Sequence, residues 1–272
     1  MPIPNTQQTL SSILGYSWAK LESITKRLDD HYSFYERLEV KANGKEKRRK
    51  IEPVREPLKT VQSRILRRIL SDMPLLDCAH GSIKGRDSIT NALAHMGKNF
   101  HFCTDIKKFY PSVRHEMVDA MLYQEGITNL QVKRMLRLLM TYKGRLPQGS
   151  PTSAYAANLV FKGIDKELMA LCQSRGIQYT RYLDDLVFSA QSCFKDLTPA
   201  LIQAFESRGF RRSNRKTFYK QGPAEVTGVL VRQNEIDLTD QKKRKLLNEQ
   251  LTEQQRQGFE NYARQVLRYG KY

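Results

Sequence analysis

Residues 177–190 read IQYTRYLDDLVFSA, in which two apolar and aromatic segments flank a short acidic turn. This pattern predicts a β-hairpin with Leu183, Asp184 and Asp185 at its tip. A single aspartate there would need no function, because Asp is common in turns. An adjacent pair is different, since neighbouring carboxylates repel each other unless a cation neutralises them. The hairpin tip is therefore a candidate cation site.

A third carboxylate follows a second apolar strand. Residues 99–113 read NFHFCTDIKKFYPSV, which predicts a strand from Phe100 to Ile106, stopped by Pro111, with Asp105 near its end. Carboxylate oxygens suit Mg²⁺, which binds one or two of them together with substrate phosphates. Three such carboxylates indicate a two-metal site for phosphoryl transfer, with one ion at the attacking oxygen and one at the leaving oxygen.

The composition indicates a polyanionic partner. The 272 residues include 46 Lys and Arg against 28 Asp and Glu, a formal net charge of +18, which favours nucleic acid. A hydrophobic content of 40% excludes a wholly disordered chain. No apolar run approaches the ~20 residues of a membrane span, no signal peptide begins the chain, and the four cysteines form no CxxC pair. We therefore expect a soluble, cytoplasmic polymerase or nuclease without a membrane partner.

Other patterns predict the remaining elements. Residues 10–39 are expected to be helical, because apolar residues recur with a period near 3.6 from Leu10 to Ile24. Asn43-Gly44, inside the basic run 41–50, predicts a β-hairpin with a positive face, although such a run is also typical of an ordinary solvated surface. Further helices are predicted at 57–71, 130–141 and 152–175, from an N-cap at Thr198 with Pro199 first in the helix, and in the polar tail 237–272, with a loop at 144–154 and a strand at 226–231.

Four motifs in order resemble those of reverse transcriptases. TDIKKFYPSV (104–113) is similar to their first palm motif, LPQGSPTS (146–153) to their LPQGxP loop, YLDD (182–185) to their YxDD box, and NRKT (214–217) to the motif that follows. Two shorter elements resemble the retron branch of that family, namely NALAH (91–95) for NAxxH and VTG (226–228) for the VTG triplet. Leu183 stands where retron enzymes more often carry Ala.

The resemblance implies an α+β fold of the right-hand polymerase type. Fingers are expected mainly from about 30–100 and 115–150, and a palm built on an antiparallel sheet carries the YxDD hairpin. The implied domains are an N-terminal helical segment at 1–40, fingers and palm at 41–235, and a short helical thumb at 236–272.

The resemblance also implies roles for individual residues. Asp105, Asp184 and Asp185 would bind two Mg²⁺ ions, with the Ile106 carbonyl as a further ligand. Residues expected around the dNTP are Arg48, Arg49 and Lys50 at the triphosphate, the Lys108 and Phe109 amides, Tyr110 beneath the sugar, Gln148 and Gly149 at the border of the nucleotide, and Lys216. Residues expected to recognise RNA are Asn91, His95, Val226, Thr227 and Gly228. Simpler readings remain open: Tyr110 as core, 148–151 as a plain turn, NALAH as a helix turn, and VTG as a strand with a bulge.

The implied function is RNA-directed DNA synthesis on a dedicated structured non-coding RNA. A 2′-hydroxyl of that RNA would prime the reaction and give a branched RNA–DNA product, msDNA, in an anti-phage defence system with a separately encoded effector protein. One alternative is another bacterial reverse transcriptase, from a group II intron or a different defence system; the absence of a maturase or endonuclease extension weighs against the intron. The other is a non-catalytic RNA-binding scaffold, which fits the charge but not the three intact aspartates.

Overall fold

A computed structural model of the chain describes residues 3–40, 46–247 and 251–269. Two compact units are present, one formed by Met1–Leu75 with Lys108–Gly163 and the other by Leu76–Lys107 with Ile164–Tyr272. Across the described ranges, no helix is both long enough and apolar enough to cross a bilayer.

The described residues combine helices with antiparallel sheets. The helices are α1 (Gln7–Leu14), α2 (Trp18–Lys26), α3 (Leu58–Arg68), α4 (Ser88–Leu93), α5 (Phe109–Ser112), α6 (His115–Gln124), α7 (Leu130–Met140), α8 (Ser153–Gln173), α9 (Thr198–Glu206), α10 (Asp240–Leu246) and α11 (Glu253–Arg268). The strands are β1 (Tyr35–Val40), β2 (Glu46–Ile51), β3 (Phe100–Asp105), β4 (Gln178–Tyr182), β5 (Asp185–Ala190), β6 (Phe218–Gln221), β7 (Ala224–Val226), β8 (Val229–Val231) and β9 (Ile236–Leu238). The α+β class is as predicted.

In the first unit, β1 and β2 pair antiparallel with Tyr35 opposite Ile51, which confirms the predicted basic hairpin. Its predicted Asn43-Gly44 turn lies outside the described residues. The amphipathic helix predicted at 57–71 is confirmed as α3, whose apolar side is buried. The predictions at 130–141 and 152–175 are confirmed as α7 and α8.

The predicted helix at 10–39 is wrong beyond residue 31. Gly15, in the left-handed conformation at φ 65°, ends α1, and Ser17 caps α2. The apolar period stops at Ile24, and residues 35–40 form β1 instead. Pairing with β2 supplies these residues with backbone hydrogen bonds. The stability of this pairing exceeds the intrinsic helix propensity of the side chains in the segment.

In the second unit, β3 to β6 form a sheet in the order β4-β5-β3-β6, and β7, β8 and β9 form a second sheet. The predicted strand at 100–106 is confirmed as β3, and the predicted hairpin at 177–190 is β4 and β5. The core between the sheets contains Cys103 and Val187 from the first, Val229 from the second, and Val266 from α11. Asp105 ends β3 and Asp185 begins β5, so both lie at the same end of these two central strands.

The predicted single strand at 226–231 is wrong, because Thr227 and Gly228 form a turn between β7 and β8. Both residues have positive φ, 46° and 78°, which is the sign pattern of a type I′ hairpin turn. A β-branched residue rarely adopts that conformation, so the sequence gives no turn signal there.

The predicted cap at Thr198 is also wrong. Thr198 is already helical at φ −57°, and its hydroxyl donates to the Lys195 carbonyl (2.8 Å) rather than to an amide of α9. In the tail, α10 and α11 are helical as predicted, but Ile236–Leu238 is strand β9, paired with β8.

Candidate active site

The three sequence-predicted aspartates meet at one end of the β3–β5 pair. Asp105 and Asp185 lie directly opposite each other in the antiparallel register, so their side chains project from the same face. The Ile106 amide donates to the Asp184 carbonyl (2.8 Å), which ties the hairpin turn to the end of β3. The structure therefore brings together motifs that are about eighty residues apart in sequence.

The turn between β4 and β5 consists of Leu183 and Asp184. Leu183 has a φ of 56°, whereas Asp184 does not have a positive φ, which is the sign pattern of a type II′ turn. Glycine normally occupies the first position of that turn, because it has no Cβ to clash. A leucine there is held by its surroundings at an energetic cost.

Lys216 lies beside these carboxylates in the second unit. Its Nζ donates to Asp105 Oδ2 and lies 3.6 Å from Asp185 Oδ1. Burial lowers the pKa of Lys216, but the hydrogen bond to Asp105 and the charges of the aspartates raise that pKa above its ordinary value. Lys216 is therefore an ammonium ion that bridges two of the three carboxylates.

One ammonium does not neutralise three carboxylates. Burial and the charge of Asp105 raise the pKa of Asp184. Burial raises the pKa of Asp185 to about 6; Lys216 opposes that rise, whereas Asp184 and Asp105 add to it. Each further positive charge placed among these groups would favour their ionised forms. The site is thus electrostatically short of cation charge.

The donor set fits a hard divalent cation. Carboxylate and carbonyl oxygens are the ligands that Mg²⁺ and similar ions prefer, and the bridging ammonium demonstrates that Asp105 and Asp185 can share one positive charge. Within the described ranges, no three His, Cys, Asp or Glu side chains already stand at metal-binding spacing. Lys216 contacts one oxygen of Asp105 and one of Asp185, so each of these carboxylates keeps a second oxygen that could ligate a metal.

The residues expected around the nucleotide lie mostly in the first unit. Phe109 is buried and packs on Phe161 (6.0 Å between ring centroids), and Tyr110 is half-buried beside Phe109. Lys108 is exposed and has a positive φ of 53°. The Phe109 side chain is therefore part of the core. The half-buried Tyr110 is compatible with its predicted position beneath the sugar.

The loop predicted at 144–154 packs against the base of the β1–β2 hairpin within the first unit. The Glu52 amide donates to the Gln148 carbonyl (2.7 Å). Gly149 has a φ of 124°, and a Cβ there would lie 3.1 Å from the Glu52 carbonyl oxygen, so only glycine fits without displacement. Gln148 and Gly149 are thereby fixed next to the strand that carries Arg48, Arg49 and Lys50.

The basic residues of β2 differ in their surroundings. Arg48 is exposed and forms a 3.5 Å ion pair with Glu36. Because both side chains are exposed to solvent, this ion pair is weak. The Lys50 ammonium lies 4.9 Å from the centre of the Phe34 ring. Arg49 lies opposite Arg37 in the strand register, and its side chain is outside the described atoms.

An ion pair that the sequence did not predict anchors this loop. Arg145 makes a bidentate pair with the buried Glu52, at 2.8 and 2.7 Å. Burial raises the pKa of Glu52, but the hydrogen bonds and charge of Arg145, the backbone hydrogen bond with Gln148 and the charge of Lys50 together lower it below its ordinary value. The spacing of 93 residues between the partners leaves no local signal in the sequence.

The two predicted RNA-recognition residues of the NALAH element are buried in the second unit. His95 is fully buried, with Nδ1 2.7 Å from Ser189 Oγ and Nε2 2.6 Å from Thr180 Oγ1, and burial lowers its pKa to about 3. Asn91 is also fully buried and donates to the Thr227 hydroxyl (3.3 Å). Direct contact of either side chain with RNA would require this unit to open, so their placement favours the simpler structural reading.

The other three predicted recognition residues surround the β7–β8 turn. Val226 is buried, Thr227 and Gly228 are half-buried, and the Thr227 hydroxyl donates to the Ser88 carbonyl (3.1 Å). Only the turn itself is thus placed near the surface.

Comparison with known proteins identifies relatives of this chain. Residues 41–231 match the family described as reverse transcriptase (RNA-dependent DNA polymerase). Retron Ec86 reverse transcriptase of Escherichia coli is 31% identical over 249 residues, which cover 89% of this chain and 76% of that protein. Retron Se72 reverse transcriptase of Salmonella heidelberg is 32% identical over 70% of this chain and 48% of that protein. The chain spans about half the length of the latter.

Solved structures of viral polymerases share the fold. The foamy viral protease-reverse transcriptase in complex with double-stranded DNA superposes with a TM-score of 0.52 at 16% identity, over 86% of this chain and 36% of that chain. The BmCPV RNA-dependent RNA polymerase at its elongation state gives a TM-score of 0.52 at 12% identity, over 84% of this chain and 24% of that chain. The predicted right-hand polymerase fold is confirmed by this likeness.

Proposed function

Because this chain belongs to the reverse transcriptase family, and within it to the retron reverse transcriptases, we propose that it copies a dedicated structured non-coding RNA into DNA. Members of the family are RNA-directed DNA polymerases, so the chain is a nucleotidyltransferase. The observation that carries the proposal is the pairing of Asp105 with Asp185 across β3 and β5, with Asp184 in the adjoining turn.

Reverse transcriptases are divalent-metal-dependent enzymes, and we propose that this one uses two Mg²⁺ ions. Asp105, Asp184 and Asp185 would hold them, with the Ile106 carbonyl as a further ligand. When bound, the ions supply Lewis-acid activation of the attacking hydroxyl and neutralise charge on the leaving phosphate. Lys216 would lie beside the bound ions as a further cation for the developing charge.

The reaction is a substitution at phosphorus. The primer hydroxyl oxygen bonds to the α-phosphorus of a dNTP, the bond from that phosphorus to the bridging oxygen breaks, and pyrophosphate leaves while the hydroxyl proton passes to water or a basic group. Little covalent chemistry is required of the protein, so positioning and charge account for most of the catalysis.

We propose that the dNTP is surrounded by residues of the β1–β2 hairpin, of segment 108–110 and of the loop at 144–154. The residues assigned to it are Arg48, Arg49 and Lys50 for the triphosphate, the Lys108 and Phe109 amides, Tyr110 under the sugar, and Gln148 with Gly149 at the border of the nucleotide. The support is local: Gly149 is held against Glu52, at the end of the strand that carries the three basic residues.

The finer biological statements are also proposals. The names of the relatives support a retron system, and the net charge of +18 supports a nucleic-acid partner. On this basis we propose 2′-hydroxyl priming, a branched msDNA product, recognition of the RNA at Thr227 and Gly228, and a role in cytoplasmic anti-phage defence with a separate effector protein.

The test is to purify the chain from cells with its nucleic acid and to sequence any RNA that copurifies. A single structured RNA with covalently attached DNA is the expected result, together with incorporation of dNTPs by the purified protein in Mg²⁺. An intron RNA would favour the group II alternative. Tight RNA binding without any dNTP incorporation, on the copurified RNA or on a primed generic template, would contradict the polymerase proposal and favour the non-catalytic RNA-binding scaffold.

A further inference from the structure

A buried arginine directly precedes the YLDD residues. Arg181 is in β4 and is fully buried. Its Nε and Nη2 donate to the two carboxylate oxygens of Asp165 in α8, at 2.9 and 2.6 Å, and Asp165 also accepts from the Tyr179 hydroxyl (2.7 Å). A buried ion pair is weak evidence for stability, because apolar side chains of similar volume often serve as well or better. Its presence here calls for another explanation.

A third nitrogen of the Arg181 guanidinium, Nη1, contacts the Leu183–Asp184 turn. Nη1 donates to the carbonyl oxygen of Leu183 at 3.1 Å. That carbonyl belongs to the peptide unit linking Leu183 to Asp184, so the bond sets the plane of that peptide. Leu183 is also the residue with the unfavourable φ of 56°, which needs an external constraint to persist.

The opposite side of the turn is fixed by residues 78–81. Arg181 donates its amide to the Cys78 carbonyl (2.7 Å) and accepts at its own carbonyl from the His80 amide (2.8 Å). A Cβ on Gly81 would lie 2.6 Å from Leu183 Cγ and 2.7 Å from the Leu183 nitrogen. Gly81 therefore contacts the turn directly, and the turn has no space to move toward it.

We propose that Arg181, oriented by Asp165, is a positioning residue that holds the Leu183–Asp184 peptide and thereby sets the direction of the Asp184 and Asp185 carboxylates. A guanidinium is suited to this role, since its rigid fork can bind a carboxylate at two donors and keep others for a carbonyl. A lysine has one compact ammonium and cannot span Asp165 and Leu183 with that geometry. The inference rests on the proposed polymerase function.

The test compares three variants of the full-length chain. Tyr179→Phe is the matched control, because it removes one hydrogen bond to Asp165 and leaves Arg181 and its bond to Leu183 in place. The test variant adds Arg181→Met and Asp165→Leu to Tyr179→Phe, which removes both buried charges together and leaves neither unpaired. Arg181→Lys keeps the charge beside Asp165 and serves as the test variant if the triple variant does not fold.

Two readouts separate positioning from stability. The first is kcat and KM for dNTP on a primed generic template, and the second is binding of Mn²⁺ to the protein without nucleotide, followed by electron paramagnetic resonance. We expect Tyr179→Phe to lower Tm while keeping kcat and Mn²⁺ affinity. The triple variant and Arg181→Lys should lose tenfold or more in kcat, with KM for dNTP within twofold, and should bind Mn²⁺ at least fivefold more weakly.

Folded test variants with the kcat and Mn²⁺ affinity of Tyr179→Phe would overturn the inference and leave the pair purely structural. If the wild-type chain extends no primer at all, the proposed function fails. The Mn²⁺ measurement still decides the inference in that case, because weaker binding by the folded variants supports positioning and unchanged binding refutes it.

Discussion

Lys216 bridges Asp105 and Asp185, which lie opposite each other across β3 and β5. The Lys216 ammonium thus contacts one oxygen of each of two carboxylates that are proposed metal ligands. The Lys216 bridge and the proposed metals use the same two carboxylates, so we expect Lys216 to influence metal binding, and this influence can be measured separately from catalysis.

Replacing either turn aspartate should abolish DNA synthesis without unfolding the protein. Asp184→Asn and Asp185→Asn each remove a proposed metal ligand, and we expect dNTP incorporation to fall at least a thousandfold while RNA affinity stays within twofold. Burial and like charges raise the pKa of both carboxyls, so the metal-free variants should melt at or above the wild-type temperature. Incorporation and RNA affinity are measured on the same preparation, and normal incorporation by either variant would refute the metal assignment.

Removing the ammonium should affect stability and metal response in opposite directions. In Lys216→Gln, the three aspartates lose their neighbouring cation, so we expect Tm to fall without metal and the increase in Tm caused by Mg²⁺ to become larger than in the wild type. Loss of a cation beside the developing charge should also reduce kcat by about 10- to 100-fold. Arg215→Gln, one residue earlier, is the control. An unchanged Mg²⁺ response would show that Lys216 does not influence metal binding.

Local patterns in the sequence predicted the elements that carry the aspartates. The hairpin at 177–190 and the strand ending near Asp105 follow from apolar segments with clear turn or proline signals. Order and spacing of the motifs then indicated that Asp105 and Asp184–Asp185 belong to one site, and the β3–β5 register agrees.

The sequence could not predict the contacts that support those elements. Arg181 and Asp165 are charged, and charged residues are normally expected at the surface, yet both are buried. Thr227 forms a turn in a conformation that β-branched residues seldom adopt. No pattern around His95 in the sequence indicates that both of its ring nitrogens form hydrogen bonds inside the second unit. Each of these features depends on tertiary packing rather than on local propensity.

Acidification should destabilise the fold through His95. Burial lowers the pKa of His95 to about 3, whereas an unfolded histidine titrates near ~6.5. Because the unfolded chain takes up the proton first, the contribution of His95 is fully present above pH 6.5 and is lost as the pH falls from 6.5 toward 3, at up to about 1.4 kcal/mol per pH unit. The measurement is urea unfolding at pH 7.5, 6.5 and 5.5.

His95→Asn should flatten this dependence, although burial also lowers the pKa of His101 and His80, so part of the slope should remain. His115→Asn, at the start of α6, is the control. A variant that unfolds with the wild-type pH dependence would contradict the buried, neutral assignment of His95.

Adding one methyl group at Gly149 should weaken nucleotide binding. Gly149→Ala would place a Cβ 3.1 Å from the Glu52 carbonyl oxygen at a φ of 124°, so the loop has to move away from β2. We expect KM for dNTP to rise fivefold or more. Gly144→Ala is the matched control, since Gly144 also has a positive φ of 76° but nothing within 4 Å of its Cβ position. Equal effects of the two substitutions would mean that backbone strain, not the position of the loop, determines KM.

Substitutions in the basic hairpin and at the β7–β8 turn should separate general from specific RNA binding. Arg48→Ala with Lys50→Ala removes two exposed cations, so affinity for all RNAs should fall and the slope of log K against log salt should flatten by roughly 0.7 to 0.9 per lost phosphate contact. Thr227→Ala removes a hydroxyl at a half-buried turn, and structured RNA is read largely by shape, 2′-hydroxyls and unpaired bases. We therefore expect Thr227→Ala to weaken binding and priming on the copurified RNA alone, with an unchanged salt slope.

Asn91→Ala distinguishes recognition by Thr227 from simple maintenance of its turn. Asn91 is fully buried and donates to the Thr227 hydroxyl. If that hydroxyl contacts the RNA itself, Asn91→Ala should lower Tm but keep most of the cognate binding that Thr227→Ala loses, whereas an equal loss in both variants would indicate that Thr227 only maintains the turn. Extension of a supplied primer on a generic template should survive in both variants. If cognate and generic synthesis fall in equal proportion in both, the β7–β8 turn is structural and the RNA is recognised elsewhere on the protein.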